Sequence, residues 1–93
     1  MDQINVRTTF DNDGYADSHE IKYSTYKLLA TNPRYKTRSL FKTIVVKKQS
    51  SEIEVWDKNK NCILRTILYK PIHEVKHTTL KVLLISAIDS NQQ

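Results

Sequence analysis

The strict alternation of Glu52-Ile53-Glu54-Val55-Trp56 constrains this chain more than any other feature. One face of that stretch is apolar and the other acidic or aromatic, which is the period-two pattern of a half-buried strand. Five polar residues, Asp57 to Asn61, follow as a turn, and Cys62 to Tyr69 reads as the next strand. Before it, Leu40 to Lys47 contains β-branched Thr43, Ile44, Val45 and Val46 and reads as another strand, joined through Gln49-Ser50-Ser51. Connections this short reverse the chain and leave no room for a parallel crossover, so these three strands form an antiparallel meander.

The flanking regions add one strand and two helices. Ile4, Val6, Thr8 and Phe10 alternate with polar residues, and Asp11-Asn12-Asp13-Gly14 makes a turn at the single glycine of the chain. Asp17-Ser18-His19-Glu20 has the form of an N-cap with a capping-box glutamate, which predicts a helix over Ser18–Thr31. Its core side would hold Ile21, Leu28 and Leu29, with Lys22 and Lys27 flanking a broad outer face. Asn32-Pro33 ends it, because the residue before proline is pushed out of the α region. Towards the C-terminus Ile72, Val75, Thr79, Val82 and Ser86 recur at helical spacing after Pro71, with Leu83 and Ala87 beside them. The alternation of Leu80, Val82 and Leu84 would suit a strand instead, and the helical spacing is favoured. The expected architecture is α+β: a short N-terminal strand, a helix, a three-stranded antiparallel meander and a C-terminal helix. All of it falls in a single domain of residues 1–93, since two separate cores would both be too small at this length.

Charge is distributed unevenly. The net charge of +5 combines −4 over residues 1–20, +8 over residues 21–48 and +1 over the remainder. The basic stretch holds Lys22, Lys27, Arg34, Lys36, Arg38, Lys42, Lys47 and Lys48 without one carboxylate, and Tyr35 lies among them. Unopposed cations interleaved with aromatic rings suit nucleic acid, where cations displace counterions from phosphates and rings stack on unpaired bases. The same residues would serve an acidic protein surface, and an ordinary solvated lysine face is the plain alternative. No apolar run approaches the ~20 residues of a bilayer-spanning helix, and the N-terminus lacks the layout of a secretion signal. With one cysteine, Cys62, expected as a buried reduced thiol, a cytoplasmic setting follows.

Three motifs carry possible chemistry. His73-Glu74-Val75-Lys76-His77 matches H-E-x-x-H, which on a helix places two imidazoles one turn apart for zinc. Its charged Lys76, the place of His73 in the first turn after Pro71 and the lack of a third ligand downstream argue against a hydrolase. Asn32-Pro33-Arg34-Tyr35 matches the turn N-P-x-Y, better read as a helix stop before a basic connector. Asp11, Asp13 and Gly14 resemble part of a calcium loop, but Tyr15 stands where an oxygen ligand belongs, so a turn is the better reading. A single glycine excludes a glycine-rich phosphate loop.

The sequence therefore predicts a small basic binding protein without catalysis or cofactor. It would contact nucleic acid or a nucleic-acid-binding protein complex through the basic segment 21–48. The alternative is an interaction protein of the kind phages and mobile elements use to block a host nucleic-acid-processing or defence protein. No membrane partner is expected, and a homodimer is compatible with either reading. The order helix, meander, helix also resembles the topology of double-stranded-RNA-binding domains. The likeness is one of topology alone, because the basic, glycine-containing start of their last helix is replaced here by His73-Glu74-Val75-Lys76.

Overall fold

A computed structural model describes residues 3–33 and 49–92, which form a five-stranded antiparallel sheet with an α-helix packed on one face. The strands are β1 (Ile4–Phe10), β2 (Ala16–Tyr23), β3 (Tyr26–Thr31), β4 (Ser51–Trp56) and β5 (Cys62–Leu68). Each lies beside its sequence neighbour, so the spatial order is β1-β2-β3-β4-β5. A short 3-10 turn at Ile72–Glu74 then leads into helix α1, His77–Asn91. The α+β class and the antiparallel meander are as the sequence predicts, with β1, the 57–61 turn, β4 and β5 where expected. The meander is larger than three strands. The strand expected at 40–47 lies outside the described residues.

The helix expected over residues 18–31 is instead a β2–β3 hairpin. Ser18, Glu20 and Lys22 point to one side of β2, and His19, Ile21 and Tyr23 to the other. This alternation outweighs a capping-box resemblance, because a strand puts both His19 and Ile21 on the one face that the C-terminal segment covers, His19 bonding the Ile72 carbonyl. The reversal is a two-residue loop, Ser24-Thr25, between the paired residues Tyr23 and Tyr26. Ser24 has φ 56°, a positive value at the first central position as in a type II′ turn. Serine in the place usually held by glycine leaves no compositional sign of a turn. Replacing the first helix with two strands also removes the likeness to double-stranded-RNA-binding domains.

The inner face of the sheet and one stripe of α1 make the core. Ile21, Leu28, Ala30, Ile53 and Val55 from β2, β3 and β4 pack with Ile72, Val75, Leu80, Leu84, Ala87 and Ile88. Fully burying an aliphatic side chain of this size is worth roughly 1.5–3 kcal/mol. The inward stripe of α1 is Leu80, Leu84, Ala87 and Ile88, at i, i+4, i+7 and i+8, whereas Val82 is 69% exposed. The helix thus exists as expected, but it begins at His77 and turns a different face inward. Leu29, expected in the core, points to the opposite side of the sheet. Cys62 is exposed, which corrects the buried thiol expected from its apolar neighbours. It opens β5 opposite Trp56, where the register shifts, and lies towards the hairpin end.

Two connections share one design. In the β1–β2 turn the Asp11 carboxylate accepts the N–H groups of Asp13 (2.9 Å) and Tyr15 (3.0 Å). In the β4–β5 turn the Asp57 carboxylate does the same for Asn59 (2.9 Å) and Asn61 (3.0 Å). The fourth residue of each takes positive φ: Gly14 at 86° and Lys60 at 63°. The calcium-like letters at 11–14 are therefore spent on a turn.

Candidate nucleic-acid interface

Lys22 and Lys27 are the two basic site residues that the described part of the chain contains, and the sheet register places them directly opposite each other. They sit on the outer face, away from α1. Like charges facing across a strand pair repel, and Glu20 offsets this with an oxygen 3.5 Å from Lys22 Nζ. Lys27 lines an open groove of about 510 Å³ with Leu29, Thr31, Glu52, Glu54 and Trp56. Farther along, Arg65 holds Glu54 at 3.0 Å. The outer face thus carries both signs in close alternation around a half-buried tryptophan. Among the described residues it is no continuous cationic surface.

Arg34, Tyr35, Lys36, Arg38, Lys42, Lys47 and Lys48 lie outside the described residues. Their points of attachment are well defined. Thr31 pairs with Glu52, so the chain leaves β3 and enters β4 at neighbouring positions in the middle of the sheet. Pro33 is buried, and the Asn32 side-chain amide donates to Asp17 at 2.9 Å. On the return side Ser51 is fully buried, and its hydroxyl donates to the Lys70 carbonyl at 2.7 Å. Residues 3–33 and 49–92 contain nine Lys and Arg against nine Asp and Glu and are net neutral. Residues 34–48 contain six Lys and Arg and no acid, so with Asp2 they account for the whole net charge of +5.

The H-E-x-x-H letters do not make a helical metal site. His73 lies in the 3-10 turn, while Val75 (φ −84°, ψ 119°) and Lys76 (φ −80°, ψ 144°) are extended and separate it from α1. The extended pair breaks the one-turn spacing. His73 instead packs beside Tyr15, with ring centroids 5.2 Å apart.

His77 has a different partner, one that sequence spacing could not reveal. Its Nε2 lies 3.1 Å from His19 Nδ1, and Thr8 Oγ1 lies 2.9 Å from His19 Nδ1 and 3.1 Å from His77 Nε2. Three elements meet there: β1 supplies Thr8, β2 the buried His19, and the first residue of α1 His77. His19 donates its Nε2–H to the Ile72 carbonyl at 3.1 Å. Burial pushes the His19 imidazole below its ordinary range; the bond to Ile72 partly offsets this, and neighbouring His77 adds to the lowering. The one sequence sign was His19 occupying an inward position in the alternation Ser18-His19-Glu20-Ile21, visible only once β2 is read as a strand.

No helix among the described residues is long and apolar enough to cross a membrane. No family model matches the chain, and neither a curated protein nor a solved structure matches it significantly.

Proposed function

We propose that this chain is a small non-enzymatic binding protein that grips nucleic acid through the basic segment 34–48, borne between the two adjacent strands β3 and β4. The reading rests on one observation: the described framework is net neutral, so the excess positive charge of the chain is concentrated in that segment. A net-neutral scaffold adds no overall repulsion of phosphates to the attraction of the cationic insertion. Lys22 and Lys27 extend the site only weakly, because Glu20 and Glu54 stand on the same face.

The salt dependence of binding tests this. If four cations contact duplex phosphates, log affinity falls against log salt with a slope of about −3.6. Replacing Arg34, Lys36 and Arg38 together with alanine flattens that slope, whereas Lys22→Ala changes it little. A triple variant that binds with the original slope removes the proposal.

A second reading has its own support. The outer face combines both signs with Trp56, and Ile67 and Tyr69 are 42% and 86% exposed at the β5 edge. Mixed charge around a half-buried tryptophan and exposed apolar side chains suits a protein surface better than a polyanion. On this reading the chain occupies and blocks a nucleic-acid-processing or defence protein, with 34–48 on an acidic patch of that partner. Pull-down with and without nuclease treatment separates the two: a partner retained after nuclease, with no affinity for free DNA or RNA, selects the inhibitor.

A further inference from the structure

We infer that Thr8, His19 and His77 form a binding site for a divalent transition metal of zinc-like chemistry. The donor set is two imidazole nitrogens and a hydroxyl, with all three mutual separations between 2.9 and 3.1 Å. Hydrogen bonds account for only two edges of this triangle. His19 has committed its Nε2–H to Ile72, so its Nδ1 offers only a lone pair when the ring is neutral. Thr8 and His77 then supply at most one hydrogen each, two for three edges. A cation set off the plane of the three, about 2 Å from each, uses a lone pair from every corner.

The surroundings agree with that assignment. Metal-bound histidines commonly donate their second ring nitrogen to a backbone carbonyl, which fixes the tautomer and aims the free nitrogen, and His19 does this towards Ile72. The two rings are nearly perpendicular, at 87°, with centroids 4.7 Å apart. That is less than the nitrogen separation plus two ring radii, so the nitrogens converge at an angle instead of facing head-on. With metal–nitrogen bonds of about 2.0–2.1 Å, donors 3.1 Å apart subtend roughly 100° at the metal. Among the described residues no third His, Cys, Asp or Glu completes the set, so water fills the remaining positions and binding is weaker than at a four-ligand structural zinc. Thr8 and His77 are only partly buried, which leaves a path for the ion. The site is distinct from the H-E-x-x-H reading, since His73 has no part in it.

Binding would tie edge strand β1 to the start of α1 through β2. The test is titration of the full chain with Zn2+ at neutral pH, followed by imidazole NMR and thermal unfolding. We expect one equivalent to shift the His19 and His77 ring signals while His73 stays in place, and the melting temperature to rise with zinc concentration. His73→Ala should bind as the native chain does. His77→Gln, with its folding checked by circular dichroism, should lose the thermal response. Absence of any His19 or His77 ring shift at millimolar Zn2+ overturns the site, as does a folded His77→Gln variant that still responds fully. The NMR arm reads the native chain and needs no variant to fold.

Discussion

The two faces of the sheet obey different physics although their residues alternate one by one along the same strands. On the inner face Ile53 and Val55 are fully buried under α1, and each contact there excludes water. On the outer face their neighbours Glu52, Glu54 and Trp56 line an open groove where charges of both signs stand in solvent. Packing on the inner side decides whether the chain folds. The outer side decides what the folded chain attracts, and its individual contacts are worth little to stability.

The sharpest way to break this contrast is to truncate an inner-face residue of β4. Ile53→Ala should cost about 2–5 kcal/mol in chemical denaturation, from lost burial and the cavity left behind. A loss below 1 kcal/mol would show that α1 does not seal the inner face.

The polar cluster around His19 on the inner side should make stability sensitive to acid. In metal-free protein the folded-state pKa of His19 lies below its ordinary value of 6.5, so below pH 6.5 the unfolded chain binds more protons than the folded one. The contribution is complete above pH 6.5 and is lost as pH falls from there through the folded value. Denaturation midpoints measured from pH 7.5 to pH 5 should fall, and the fall should be smaller in His19→Gln if that variant folds. An unchanged midpoint would mean that His19 is as well solvated as an outer-face residue.

Backbone strain gives a smaller effect in the opposite direction. Lys60→Gly should stabilise by about 0.5–1 kcal/mol, because a non-glycine residue at φ 63° occupies the left-handed region that glycine adopts freely. Gly14 already fills the equivalent position of the sister turn. Equal or lower stability in Lys60→Gly would show that the lysine side chain contributes more than the turn conformation costs.

The smallest effect belongs to the outer face. A double-mutant cycle on Glu54 and Arg65 should return a coupling of about 0.2–1 kcal/mol that shrinks with added salt, as expected of an ion pair with a largely exposed arginine. A coupling of several kcal/mol would mean that the outer face contributes to folding as the inner face does.

The elements legible in the sequence were those in which alternation and turn chemistry agree. Val6 and Thr8 alternate before Asp11-Asn12-Asp13-Gly14, and Ile53 and Val55 alternate before Asp57 to Asn61, so β1, β4 and β5 were readable from residue types alone. Residues 18–31 misled because two local signals conflicted. Asp17 to Glu20 imitates a helix start, and the true reversal at Ser24-Thr25 contains none of the residues that announce a turn. In α1 the apolar content was plain but its direction was not. The extended Val75-Lys76 pair resets the helical phase, and no composition rule foresees that. The basic segment was legible as charge, while the His19–His77 contact spans 58 residues and depends on a hairpin read as a helix.

Because every strand lies beside its predecessor, the sheet can assemble in chain order, with short loops between β1 and β2, β2 and β3, and β4 and β5, and one long connection, residues 32–50, between β3 and β4. Its inner face has no such luxury. The helix that covers it follows all five strands, so during synthesis a growing sheet presents Ile21, Leu28 and Ile53 uncovered until residues 77–91 have emerged. A chain ending between Leu68 and His77 would hold all five strands with their apolar face still bare, a surface prone to aggregation.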